Sequence, residues 1–254
     1  MYAIRNLFAV SWLAIALASG GPAPTSLPTS DPASAADRIS TDEASAIDAL
    51  RAIVEAQERF KSGAHIDTNC DGEGEYGYFA EIAGSVAMRV GCHNCQNCQP
   101  EAGNPAVDVL LRPLLRRPFG ILRWSCVSYR GYLFQMWLPG PVSVGRVAGT
   151  LEDSYGGKQA APYPDPVNGA HMWCCYAWPV AYELTGRRAF FVNERGEVLE
   201  YANRSSSPYS GRPIAPHDDN GPGFDEAYSV SGDMGSPLRI GVANANGTIW
   251  YPVP

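Results

Sequence analysis

STDEASAIDALRAIVEAQERFKSGAHIDTNCDGEGEYGY, residues 40–78, is the stretch around which the rest of the chain is read. Ser40-Thr41-Asp42-Glu43 has the form of a capping box, in which the first hydroxyl accepts from the backbone three residues on and the glutamate reaches back. Asp42 and Glu43 stand where a first helical turn favours negative charge, and Arg59 and Lys61 where a last turn favours positive charge. Ile47, Leu50, Val54 and Phe60 recur at helical spacing, while Arg51, Glu55 and Glu58 fall largely off that face. Gly63 supplies a C-cap. The pattern predicts one long amphipathic helix running into an acidic, glycine-rich loop.

That loop offers oxygen ligands at alternate positions. Asp67, Asn69 and Asp71, followed by Gly72, match the first half of the D-x-[DN]-x-[DN]-G spacing that folds oxygens around Ca²⁺. Glu73 and Glu75 complete a candidate Ca²⁺ set, with Glu75 at the ninth position standing in for the glutamate expected at the twelfth, where Tyr78 stands. The alternative is an Asx-rich turn that joins helix to sheet without an ion.

The chain has 254 residues, a net charge of −7 and seven cysteines. Residues 1–18 carry Arg5, an apolar run and Ala16-Leu17-Ala18 before Ser19, the pattern of a cleaved secretory signal peptide. Residues 19–37, rich in Pro, Ser, Ala and Thr, read as a disordered linker. Residues 38–254 then form a single domain, exported to a periplasmic or extracellular location. The acidic balance argues against a nucleic-acid partner. No later run is long enough to span a membrane. Residues 110–117 (LLRPLLRR) form a basic-apolar island that reads as a short helix with a solvated edge.

Cys92, His93, Cys95 and Cys98 form the densest ligand-bearing cluster, in an insert of about residues 92–105. They are a candidate zinc set, but zinc sites more often carry a second, separated pair. In an exported chain, disulfide staples to Cys70, Cys126 or the Cys174-Cys175 pair are favoured over metal.

Beyond the loop the pattern turns to period two. Tyr132, Phe134, Met136 and Leu138 alternate with Leu133, Gln135 and Trp137, and Pro139-Gly140-Pro141 marks the expected end of that strand. Residues 140–170 read as a long surface excursion. Residues 172–179 form another strand, residues 189–192 and 197–201 a hairpin about Gly196, and residues 238–251 a final hairpin about Asn246-Gly247. The expected fold class is α+β: a long N-terminal helix packed on a small antiparallel meander sheet, with long Gly/Pro-rich loops.

Several segments together carry a resemblance. They are Ala56-Gln57-Glu58-Arg59-Phe60, the run from Asp71 to Gly77, Gly131-Tyr132-Leu133-Phe134, Ala177-Trp178-Pro179, Thr185-Gly186 and the run from Phe191 to Val198. Over about residues 46–201 the chain resembles uncharacterised exported bacterial proteins with a type IV pilin-like globular domain. The resemblance implies a long helix on a small antiparallel sheet and no nameable enzyme activity. The chain lacks the long apolar stem, with its glutamate, that a pilin uses to build a fibre.

No motif for nucleophilic, zinc-hydrolase or nucleotide chemistry is present. His65, His93, His171 and His217 are the only histidines, and the Gly232–Pro237 turn places Met234 where a protease-type loop would need serine. The favoured function is therefore a non-catalytic exported protein in surface interaction or assembly, with an envelope or extracellular protein as partner and a candidate structural Ca²⁺. One alternative is an extracytoplasmic hydrolase using loop carboxylates (Glu73 with Glu75, or Asp218 with Asp219). The other is a zinc-binding or redox protein built on the cysteine cluster.

Overall fold

The computed structural model describes residues 32–91, 100–213 and 220–254. They belong to one compact unit, Pro32–Pro254. The expected signal peptide, most of the expected linker and the Cys92–Cys98 cluster lie outside the described residues.

Helix α1 runs Pro32–Ser62, so it begins eight residues before the expected cap at Ser40. The capping box does not form. Its first turn carries no acid, and Thr41 Oγ1 donates instead to the Asp37 carbonyl one turn back, at 2.8 Å. Proline suits a first helical position, and the alanines that follow are strong helix formers. Residues 32–37, expected as linker, therefore extend the helix. Its buried face is Ile39, Ala46, Ile47, Ala49, Leu50, Ile53, Ala56 and Phe60.

The sheet corrects the expected architecture. A helix on a small meander is overturned by a strand-rich fold whose main sheet has eight antiparallel strands. In chain order, β1 (Arg89–Val90) and β2 (Glu101–Ala102) form a separate ribbon. The large sheet contains β3 (Leu122–Arg123), β4 (Cys126–Tyr129), β5 (Tyr132–Ser143), β6 (Arg146–Leu151), β7 (Cys174–Pro179), β8 (Ala189–Asn193), β9 (Leu199–Tyr201) and β10 (Tyr251–Pro252). The spatial order is β10-β9-β8-β7-β5-β4-β3, and β6 pairs with β5 off this path. Short helices α2 (Phe79–Ile82) and α3 (Pro166–Gly169) and a 3-10 turn, Arg117–Gly120, fill the connections.

β5 organises the sheet. Residues 132–137 pair with β7 and residues 132–134 with β4, while Trp137 to Ser143 pairs with β6. The expected stop at Pro139-Gly140-Pro141 is a register shift between Pro139 and Val142. A bulge accommodates residues that cannot donate to the ladder, so the strand continues and β6 occupies part of what read as a surface excursion. β7 and β8 are buried along their whole length. Both faces of the sheet are covered, so neither strand shows alternation. The island at residues 110–117 forms bends in place of the expected helix, and its last residue, Arg117, opens the 3-10 turn. Residues 238–243 make isolated bridges to Tyr228 and Trp250 in place of a hairpin strand, and β10 adds to β9.

One face of the sheet packs under α1 through Phe134, Met136, Phe190 and Val192 against Ile53 and Phe60. The other carries Leu133, Tyr176, Trp178, Phe191 and Tyr201, which the C-terminal loops cover with Tyr228, Met234 and Trp250. Glu43 ties the helix to β8. Its Oε1 accepts from the Arg187 and Arg188 amides at 2.8 and 3.1 Å, and its Oε2 pairs with the Arg188 guanidinium at 2.7 Å.

Candidate functional site

The acidic loop folds back on the C-terminal end of α1. Gly74 permits this approach, since a Cβ there would lie 2.0 Å from the Lys61 carbonyl oxygen. Asp67, Asn69 and Asp71 are brought together, with their oxygens turned to the loop's own donors. Asp67 accepts from the Asp71 and Gly72 amides at 3.2 and 3.0 Å, and Asp71 from the Glu73 amide at 2.7 Å and the Asn69 side chain at 2.7 Å. The Glu73 amide, and then Asn69, hold the Asp71 carboxyl below its usual range. This is Asx-turn geometry. Glu73 leaves the group to pair with Lys61 at 3.1 Å. Glu75, expected as a ninth-position ligand, points into the core. Among the described residues no group of three or more His, Cys, Asp or Glu is placed to hold a metal ion. The Glu73–Glu75 pair of the hydrolase alternative is split between surface and core, and Asp218 and Asp219 lie outside the described residues.

Inside, Glu75 joins a buried charge network that sequence reading missed. Its Oε1 accepts from the Thr68 amide at 2.6 Å, while its Oε2 lies 3.9 Å from Arg89 Nη1, with neither atom hydrogen bonded. Arg89, 2% exposed, donates from Nε to Glu81 Oε1 at 3.1 Å and from Nη2 to the Tyr76 carbonyl at 2.8 Å, and lies over the Tyr78 ring. Glu81 also accepts from the Tyr78 amide at 2.8 Å. Burial opposes the Arg89 charge, but Glu81 and Glu75 outweigh it and raise its pKa. Burial raises the Glu75 carboxyl, with Arg89 pulling the other way.

Glu152 sits close by and pairs with no cation among the described residues. Its Oε2 accepts from the Gly157 and Ala80 amides at 3.1 and 3.4 Å, and its Oε1 has no partner. Burial holds its pKa well above the ordinary carboxylate range. A raised folded-state pKa favours the proton-rich side. The contribution is fully present below the unfolded value of about 4.3 and is lost as pH rises through the folded value. Glu152→Gln is therefore expected to raise stability at pH 8 by on the order of 1 kcal/mol or more and to leave it nearly unchanged at pH 4. Urea midpoints at the two pH values measure this, and an equal shift at both would refute it.

Cys126, Cys174 and Cys175, expected as disulfide partners, are buried thiols outside any disulfide. Burial pushes the Cys126 thiol up to about 12. Cys174 and Cys175 are adjacent on β7, and consecutive strand residues face opposite sides. Cys92, His93, Cys95 and Cys98 lie outside the described residues.

A cleft of about 770 Å³ opens on the sheet face away from α1. Its lining includes Trp124, Gln135, Trp137, Thr150, Ser154 and Lys158. Trp137 packs against Phe224 at 5.6 Å between ring centroids, and its buried Nε1 has no partner. The tip of the β3–β4 hairpin enters the cleft. That two-residue turn is Trp124-Ser125, with φ of 55° and 58°. Such turns favour Asn-Gly because both residues are left-handed, and a bulky side chain there is strained. Two contacts hold the turn: Ser125 Oγ donates to the Glu152 carbonyl at 2.7 Å, and the Ser125 amide to the Ser154 carbonyl at 3.2 Å.

Comparison with family models, curated proteins and solved structures returns no match. The site is therefore read from its own chemistry. Trp124 and Trp137 supply flat apolar faces, Gln135 an amide, and Thr150 and Ser154 hydroxyls. Lys158 is already paired with Asp153 at 3.3 Å, so the lining presents hydrogen-bonding groups and little net charge. The alternation at residues 132–138 pointed to Gln135 and Trp137 as a shared face. Trp124 carried no signal, because its turn lacks glycine.

Proposed function

We propose that this protein is an exported, non-catalytic binding protein of surface interaction, and that the Trp124–Trp137 cleft takes an uncharged, hydroxyl-bearing ligand of saccharide type. The observation that carries this reading is the strained Trp124-Ser125 turn, which displays an indole in the cleft of about 770 Å³ at a backbone cost of about 1–3 kcal/mol per residue. Aromatic faces with a few fixed polar groups suit such a ligand. Binding is favoured over turnover because the lining segment offers no free pair of carboxylates: Asp153 is ion-paired, and Glu152 is buried with one oxygen on backbone amides and the other unpartnered. Asp153 accepts from Lys158 and the Gln159 amide, and Glu152 from two backbone amides.

The test is the double variant Trp124→Asn/Ser125→Gly, which restores a favoured turn. It is expected to gain about 1 kcal/mol in unfolding free energy and to bind soluble oligosaccharides at least tenfold more weakly. Tryptophan fluorescence titration with a neutral oligosaccharide panel reads the binding, and urea unfolding reads the stability. Absence of any binding by the wild type, or equal binding by the variant, would sink the proposal.

A further inference from the structure

Residues 109–151 contain six arginines and no aspartate, glutamate or lysine, in a chain whose net charge is −7. The fold concentrates this asymmetry at one edge of the sheet. Arg117, Arg123 and Arg212 line an open pocket of about 510 Å³ beside the edge strand β3, together with Pro118, Ile121, Leu122 and Ser128. Arg212 is set in place by the carbonyls of Arg123 and Cys126, to which its Nη1 donates at 3.0 and 3.3 Å. Tyr129 ends the neighbouring strand β4, and Arg116 and Arg130 both donate to its Oη, at 3.5 and 3.2 Å. Arg130, with Arg116 behind it, pulls that hydroxyl below its ordinary pKa, as expected where positive potential accumulates. Among the described residues none of Arg117, Arg123 or Arg212 forms an ion pair, although Arg188, Arg195 and Arg89 all do.

We infer that this pocket binds a phosphate-type oxyanion carried on a small molecule or a lipid headgroup. Like charges gathered without a countercharge among the described residues repel one another, and an entering anion relieves that repulsion. Guanidinium groups match tetrahedral oxyanions through paired N–H donors. Ile121, 63% exposed at the pocket wall, gives an apolar surface to whatever bears the anion. The site adjoins the tryptophan cleft across the β3–β4 hairpin but needs nothing from it, and its ligand differs in charge.

Two titrations of the full chain test this. One uses pyrophosphate, followed calorimetrically. The other uses vesicles of phosphatidylcholine with and without phosphatidylglycerol, followed by co-sedimentation. Binding to pyrophosphate alone assigns a soluble anion, and binding to the anionic vesicles assigns a headgroup. Either supports the site if affinity falls with added salt and drops at least tenfold in Arg117→Gln/Arg123→Gln. Both side chains are exposed, and an unchanged melting curve shows that the variant folds. Arg204→Gln, at an exposed position outside the pocket, keeps wild-type binding. No binding in either titration, or equal losses in Arg117→Gln/Arg123→Gln and Arg204→Gln, overturns the inference.

Discussion

An Arg89→Met variant is expected to lose about 3–5 kcal/mol of unfolding free energy at pH 7. Among the described residues the guanidinium is the single cation between Glu75 and Glu81 in the buried network, and it also satisfies the Tyr76 carbonyl. Methionine fills much of the volume and removes the charge, leaving two buried carboxylates without a counterion. Breaking a buried pair by deleting one partner is costly, whereas replacing the whole group with neutral residues is often close to neutral. Adding Glu75→Gln and Glu81→Gln to Arg89→Met is therefore expected to recover more than half of the loss. The deficit of the single variant is also expected to shrink at pH 5, where a stranded carboxylate takes up a proton more easily. Urea unfolding of the single and triple variants at both pH values decides this. A loss below about 1 kcal/mol for Arg89→Met would show that the network is not a coupled unit.

What could be read from sequence follows the range of the interactions involved. The helical spacing of Ile47, Leu50, Val54 and Phe60 is local and visible; Ile47, Leu50 and Phe60 line the buried face of α1, and Val54 packs against it half-buried. The start of α1 was hidden because Ala, Ser and Pro suit both a linker and a helix beginning at proline. The size of the sheet was hidden for two reasons. Pro139-Gly140-Pro141 ends most strands, but here a bulge carries β5 through it. β3 has two residues and β4 four, and the turn between them is Trp-Ser, so no hairpin signature marks them. That unmarked hairpin presents Trp124 to the cleft and Arg123 to the arginine pocket. The features most informative about function are thus the ones that break local rules, as expected where strain is retained at a site. The buried network was illegible for a different reason. Glu75, Glu81 and Arg89 look like ordinary surface charges in one dimension, and only the packing of β1 and α2 brings them together.

Gln57→Leu is expected to cost roughly 2–4 kcal/mol, although it adds an apolar side chain to the buried face of a helix. Helical periodicity alone would rate leucine an improvement there. Gln57, however, is fully buried and meets the extended segment before α2 as a strand would. Its Nε2 donates to the Gly77 carbonyl at 2.8 Å, and its Oε1 accepts from the Gly77 amide at 3.1 Å. Leucine leaves that buried amide and carbonyl without partners, and each costs about 1–3 kcal/mol, partly offset by apolar transfer. Gln57→Glu separates the two contacts. A protonated glutamate can accept from the amide and donate to the carbonyl, so this variant is expected to approach wild-type stability at pH 4 and to fall well below it at pH 8. Hydrogen exchange at the Gly77 amide gives a local readout: it is expected to lose protection in Gln57→Leu before the amides of β5 and β7 do. Full protection at Gly77 in that variant would mean that another acceptor serves the segment, and that the helix is fastened to the sheet by apolar packing and the contacts of Glu43 with Arg187 and Arg188.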